Sequence, residues 1–324
     1  MANDIHYIDR ISPISNTVVV DWSMGSRCNY HCSYCPTGLH DGKSDWATLD
    51  QIKGFFDKLE DHYETNFQFI MHGGEPTMMP HLPEVCEEIK RRDPTNMVAL
   101  ITNGSRTLRW WKKNKHLFNC INLTAHPEHC DTEHLVKVCL EYYRPGENEL
   151  NVLVTMNPDF WDRDLEVAKE LARHSNGYSV TLKQLRIRFG TEIYPYSKEQ
   201  LEFFKNYGLL NEYKDDYATA LPTPEGQDLD HDVYWKDGRV TRMNANKILN
   251  QRKNKFTGMK CYTGIDKIFI NKNHVVKAGS WCKNSESIFG YVTDPENIKL
   301  PTQPMVCQQP LCMNVTDMRT RKHW

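Results

Sequence analysis

The stretch SRCNYHCSYCPTG, residues 26 to 38, sets Cys28, Cys32 and Cys35 within eight positions and closes on Pro36 and Gly38. Shortly before it lies TVVVDW, an apolar, β-branched run that reads as a buried strand, so the three thiols fall in the loop after that strand. Outward from this point the arrangement repeats. FQFIMH, MVALITNG, CINLTAH, LNVLVTM and VTLKQLRI are further short apolar runs, separated by longer stretches of 3.6-residue periodicity such as ATLDQIKGFFDKLEDHY, LPEVCEEIKRR and RDLEVAKELARH. Six strand-then-helix units result, with parallel strands covered by helices and joined by right-handed crossovers. This predicts an α/β fold with a curved parallel sheet. In such folds ligands bind at the carboxyl ends of the strands, which is where the cysteine loop lies.

A chain of 324 residues suits one large domain, or a large domain with a smaller appendage. The formal net charge of −2, with signs intermixed, gives no basic face for nucleic acid, although the tail MRTRKHW is locally positive. MANDIHYIDRISPISN has neither a basic n-region nor an apolar h-region, and no run approaches the roughly 18 apolar residues of a membrane span. The expectation is a soluble, cytoplasmic protein that uses no membrane. Eleven cysteines in such a setting point to metal or catalysis rather than to disulfides, because the cytosol keeps thiols reduced.

The cysteines are unevenly spread. Cys86, Cys120, Cys130 and Cys139 occur singly in the middle of the chain and read as small buried hydrophobes. Cys28, Cys32 and Cys35, spaced four and three residues apart, are suited to wrapping a loop around one iron–sulfur cube, with one iron left free of cysteine. A zinc knuckle with His31 or His40 as the fourth ligand is the alternative. After about residue 210 the periodicity stops. DDYATALPTPEGQDLDHD reads as a loop or lid whose aromatic neighbours Tyr213, Tyr217, Tyr234 and Trp235 either stack on a ligand ring or pack the mouth of the barrel. VYWKDGRVTRM reads as a hairpin turning at Asp237-Gly238, and NANKILNQRK as a short helix. CYTGIDKIFINKNHVVKAGSWC places two β-rich runs between Cys261 and Cys282, and Cys307 and Cys312 follow. These four thiols suffice for one closed site, which iron–sulfur and four-cysteine zinc both satisfy. The expected organisation is a barrel over residues 1–210, a lid and hairpin linker over 211–258, and a small cysteine-rich α+β module over 259–324.

CNYHCSYC resembles the CxxxCxφC pattern of the radical S-adenosylmethionine (SAM) superfamily, with Tyr34 in the aromatic position. MHGGEPTMMP, after the second strand, is similar to that superfamily's GGEP motif at Gly73, Gly74, Glu75 and Pro76, and LITNGS ends the third strand as in many members. The resemblance implies a partial (β/α)6 TIM-like barrel and a [4Fe–4S] cluster held by Cys28, Cys32 and Cys35, with the open iron chelated by SAM. It also implies reductive cleavage of SAM to a 5′-deoxyadenosyl radical that abstracts hydrogen from substrate, with electrons from a donor such as flavodoxin or ferredoxin. By the same resemblance Gly73 and Gly74 present backbone to the SAM amine, Glu75 lies nearby, Pro76 fixes the turn and Tyr34 lies near the adenine. Polar residues at the later strand ends, namely Asn103, Thr124, His126, Asn157, Arg186 and Arg188, are candidates for the SAM carboxylate and ribose. The cysteine-flanked hairpin and later cysteines resemble the SPASM and twitch extensions. Four cysteines rather than seven imply the single-cluster form, with a second [4Fe–4S] cluster at Cys261, Cys282, Cys307 and Cys312. Substrates of such proteins are small molecules, including sugar- or nucleoside-like ones, or peptides. Nucleic-acid modification and a non-catalytic iron–sulfur or zinc scaffold are the competing readings, against the near-neutral charge and the intact motifs respectively.

Overall fold

The computed structural model describes residues 8–13, 16–187, 192–207, 230–282 and 285–324. From the N-terminus, β1 (Ile8–Pro13) and β2 (Val18–Ser23) precede the cysteine loop, and α1 (Leu49–His62) follows it. The chain then alternates through β3 (Phe67–His72), α2 (Leu82–Arg92), β4 (Met97–Thr102), α3 (Leu108–Asn114), β5 (Cys120–Ala125), α4 (Thr132–Tyr142), β6 (Glu149–Met156), α5 (Trp161–Arg173), β7 (Ser179–Gln184) and α6 (Lys198–Tyr207). The remainder supplies β8 (Asp230–Trp235), β9 (Val240–Asn244), α7 (Ala245–Asn250), β10 (Lys260–Cys261), β11 (Lys267–Ile270), β12 (Val275–Lys277), β13 (Ile288–Tyr291), β14 (Met305–Val306), α8 (Val315–Met318) and β15 (Lys322–His323). No described helix is long and apolar enough to cross a membrane.

The helices form where the sequence caps and patterns them. Thr48 and Gln51 close a capping box at the start of α1, each side chain accepting from the other's backbone N–H, and Ile52, Phe55, Phe56 and Leu59 form its buried stripe. Leu82, Val85, Cys86 and Ile89 repeat that spacing in α2, and Asp131 caps α4 by accepting from the His134 N–H. Cys86 and Cys139 are fully buried on their helices, and Cys120 is buried at the start of β5, as small hydrophobes should be.

The chain divides into two compact units: Met1–Ser23, Ala47–Phe69 and Pro222–Trp324 form one, and Met24–Trp46 with Ile70–Leu221 the other. β3 passes through the boundary. In the second unit its carboxyl end is followed by β4, β5, β6 and β7 in chain order, with β4 to β7 paired in parallel. This is the open α/β arrangement expected of a partial (β/α)6 barrel. The register sets Thr124 beside Leu153 and Leu153 beside Thr181, and further along Thr155 beside Lys183. Paired residues share a face, so one face of this sheet carries a polar row near its carboxyl edge. The sixth expected strand stops at Gln184, and Arg186 lies beyond it in an isolated bridge to Ile193.

The first unit holds two sheets. In one, β13, β12, β11, β2 and β3 lie side by side, with β11 parallel to β2 and antiparallel to β12. The expected hairpin between Cys261 and Cys282 is therefore present, but its first strand joins the barrel's opening strand. The other sheet runs β14-β10-β15-β1-β8-β9. β1 was not anticipated, because IDRISP alternates too weakly to signal a strand; it forms through non-local antiparallel pairing with β8 and β15. The hairpin β8–β9 turns at Asp237-Gly238 as expected. Trp235 is buried in the core of this unit with Ile8, Ile11, Val233 and Phe256, and the Arg10 guanidinium lies 3.8 Å from the Tyr234 ring centroid. Both aromatics pack within this unit, whereas Tyr213 and Tyr217 lie outside the described residues.

Candidate active site and cysteine centres

The cysteine loop belongs to the second unit and is suspended from the ends of four strands. After β3 the backbone turns at Gly73 and Gly74 with φ of 90° and 54°. A Cβ at Gly74 would stand 2.3 Å from the Arg27 carbonyl oxygen, so only glycine lets the two backbones approach. The Glu75 N–H then donates to that same carbonyl at 2.7 Å. The Glu75 side chain is buried, and its carboxylate accepts from Thr77 N–H and Oγ1, Thr102 Oγ1 and Asn103 N–H at 2.6–3.0 Å. Burial raises its pKa against those four hydrogen bonds, which favour the charged form. Glu75 thus ties the β3 turn to the end of β4, and Pro76 is buried at the start of the short 3-10 turn that follows.

Asn103 continues the suspension: its Nδ2 donates to Asn29 Oδ1 at 3.0 Å, reaching between Cys28 and Cys32. After β5, Glu128 accepts from the Ser33 N–H at 2.8 Å and from Ser33 Oγ at 2.5 Å, between Cys32 and Cys35. Asn157 Nδ2 reaches the same carboxylate at 3.5 Å, while the Asn157 backbone donates to Asp164. Tyr34 Oη lies 2.6 Å from His126 Nδ1 and 2.7 Å from Thr155 Oγ1, and its ring stacks on that of His126. Thr155 donates its proton to the Ala125 carbonyl at 3.2 Å, so it accepts from Tyr34, and the assignment that satisfies every contact has His126 Nδ1–H donating to Tyr34. Nε2 of His126 is then the free acceptor. Burial, and next the Lys183 charge, push the His126 pKa down to about 4, so the ring is neutral near pH 7.

The three thiols lie within electrostatic reach of one another, and burial pushes Cys32 up to about 12 and Cys35 to about 11. Such thiols ionise when a metal offsets the desolvation. Cys32 Sγ also lies with Glu128 and His129 in a group whose ligand atoms are all within 4.8 Å of one another. The Glu128 oxygens already accept from the cysteine loop, which identifies that residue as a loop clamp. Sequence reading missed Asn29, Ser33, Glu128 and Thr155. Strand alternation from Asn157 marks Thr155, whereas nothing in TAHPEH distinguishes Glu128 as the clamp.

Thr124 is buried on β5 in the polar row, and His126 and Asn157 follow at the ends of β5 and β6. The structure thus brings Tyr34, Asn103, His126 and Asn157 onto the cysteine loop or its clamp. Arg186 stands past the strand end, partly buried, and Arg188 lies outside the described residues. Lys183, absent from the sequence candidates, lies on β7 in register with Thr155.

The four C-terminal cysteines lie in the first unit, each held by a different segment. Cys261 ends β10 with Sγ 3.4 Å from Thr263 Oγ1, and Cys307 follows β14 and donates its N–H to the Met259 carbonyl. Asn254, itself buried, grips both backbone polar groups of Cys312. Cys282 follows the hairpin, and its carbonyl accepts from Ser287. Cys261 and Cys307 act electrostatically on both Cys282 and Cys312, and burial pushes those two up to about 12. The positive charge of Lys322, whose Nζ is held by the Asp317 and Thr320 carbonyls, counteracts the shift at Cys307 and Cys312. Nearby, buried Lys267 pairs with Asp21 of β2 at 2.9 Å and with Asp317, which also accepts from Ser280 at 3.3 Å. Gly279 has to be glycine, since a Cβ there would stand 2.7 Å from the Asp317 carboxylate.

Residues 22–146 match the family model of the Radical SAM superfamily. Among curated proteins, the S-adenosylmethionine-dependent nucleotide dehydratase of Fibrobacter sp. (strain UWH6) is 28% identical over 95 residues, which is 28% of this chain and 28% of that protein. The GTP 3',8-cyclase of Tolumonas auensis (strain DSM 9187 / NBRC 110442 / TA 4) is 33% identical over 87 residues, covering 26% of this chain and 25% of that protein. The match therefore spans about a quarter of the length of these relatives. Among solved structures, native anSMEcpe with bound AdoMet superposes with a TM-score of 0.51 at 17% identity, covering 86% of this chain and 78% of that one. That likeness is one of fold.

Proposed function

We propose that this chain is a radical SAM enzyme in which Cys28, Cys32 and Cys35 hold the [4Fe–4S] cluster that binds SAM. The observation that carries the reading is the suspension of one three-thiol loop from Glu75, Asn103, Glu128, His126 and Thr155, which fixes three sulfurs at the carboxyl edge of a parallel sheet. When bound, the cluster and SAM supply a 5′-deoxyadenosyl radical that abstracts hydrogen from substrate. The protein's part is to orient and to exclude water. Gly73 and Gly74 leave room for backbone to meet the SAM amine; Tyr34 and His126 offer stacked rings for the adenine; Asn103, Thr124, Asn157, Arg186 and Arg188 are the polar contacts assigned to carboxylate and ribose. Substrate is a small molecule or a peptide, and an electron donor such as flavodoxin or ferredoxin supplies the reductant. Eleven free thiols suit a reducing cytoplasm.

The same proposal gives Cys261, Cys282, Cys307 and Cys312 a second [4Fe–4S] cluster in a twitch-like module over 259–324, after a barrel over 1–210 and a linker over 211–258.

The test is anaerobic reconstitution followed by incubation with SAM and dithionite. The wild-type protein should release 5′-deoxyadenosine and methionine, and Cys32→Ala should release none. Equal release by both proteins would defeat the assignment.

A further inference from the structure

We infer that Lys183 and Thr181, on the inner face of β7, form a binding position for an oxyanion of the substrate, a carboxylate or a phosphate. The inference rests on the radical SAM reading and adds to it the substrate's charge. The two side chains alternate along one strand and therefore share a face. Lys183 is paired in register with Thr155, whose hydroxyl meets Tyr34 of the cysteine loop, and Leu185, two residues on, packs with Cys32 and Tyr34. That face is therefore the one turned to the cysteine loop.

Two donors wait there without acceptors. Thr181 is 1% exposed, and its Oγ1 is buried with no hydrogen-bond partner. Among the described residues the half-buried Lys183 side chain makes no hydrogen bond or ion pair, and desolvation lowers its pKa with no carboxylate acting against it. A cation left in this state is costly unless an anion joins it. Neighbouring side chains do not supply one: His126 is neutral, and Glu128 is engaged by Ser33 and Asn157. An oxyanion beside Lys183 can accept from both donors, while the free Nε2 of His126 accepts a hydroxyl proton from the same ligand. The ligand class is then an anionic, hydroxylated small molecule.

SAM also carries a carboxylate, and the test separates the two sources. With the reconstituted, SAM-loaded protein, pyrophosphate and malonate binding is measured by calorimetry at low ionic strength, and SAM affinity by equilibrium dialysis. Lys183→Met should weaken binding of at least one of these anions by about tenfold or more, the loss of a charge-assisted hydrogen bond, and change SAM affinity by less than about twofold. Lys183→Arg should restore the anion binding, and circular dichroism checks that each variant is folded. A parallel loss of SAM affinity would assign the ammonium to SAM and overturn the inference, as would unchanged anion binding or no anion binding by the wild-type protein. Absence of 5′-deoxyadenosine from the wild-type protein would defeat the enzyme reading by itself, since the anion measurement needs no turnover.

Discussion

The two cysteine groups are built in opposite ways. Cys28, Cys32 and Cys35 come from one short loop, and the fold contributes struts from Glu75, Asn103, Glu128, His126 and Thr155. Cys261, Cys282, Cys307 and Cys312 come from four segments whose positions depend on Asn254, on strand pairing and on the buried Asp21–Lys267–Asp317 group. The first arrangement fixes ligand spacing covalently and uses hydrogen bonds only for orientation. In the second, folding itself must gather the four thiols, so under the proposed two-cluster reading stability and metal content should be coupled there and separable in the loop.

The largest effect expected from that difference follows removal of the buried cation. Lys267→Met leaves Asp21 and Asp317 facing each other in the core and should cost about 3–5 kcal/mol, read by denaturant unfolding. Iron should fall to that of the loop cluster alone. Normal iron content in this variant would show that the C-terminal site does not depend on its scaffold.

Glu128→Gln probes the loop's strongest strut. Loss of the charge-assisted contacts to Ser33 should cost about 1–3 kcal/mol locally. The expected outcome is faster loss of loop iron to a chelator with little change in global unfolding. A global loss of stability as large as that of Lys267→Met would erase the contrast between the two groups.

How legible each group was follows from the same contrast. The loop motif, the GGEP turn and the strand-helix alternation are contiguous in sequence, so pattern alone reveals them; the end of β4 at Asn103 and the stacking partner His126 followed from position. Glu128 was not visible because its role is a loop-to-loop contact with Ser33, and Lys183 because its place beside Thr155 arises from a register between strands; no local pattern encodes either. In the C-terminal part, the hairpin and its cysteines were readable from turn residues. The parallel pairing of β11 with β2 and the Asp21–Lys267 pair join residues far apart in the chain and were not. Arg186 and Arg188 were extended from a strand that stops at Gln184.

Acid offers a smaller test on the loop side. The folded His126 has its pKa lowered to about 4 from an ordinary 6.5, so the unfolded chain binds the proton first. Its contribution to stability is therefore complete above about pH 6.5 and is lost as pH falls toward 4. Thermal unfolding across that interval should show a slope that flattens in His126→Gln. Thr155→Val, which removes one neutral link to Tyr34, should have the least effect, about 1 kcal/mol.

Iron and sulfide counted per chain after anaerobic reconstitution test the two-centre claim most directly. The wild-type protein should hold about eight of each, and about four should remain when Cys28, Cys32 and Cys35 are all replaced by Ala, or when Cys282 alone is replaced. Stoichiometric zinc in place of half the iron, or a triple variant that keeps all eight irons, would contradict it.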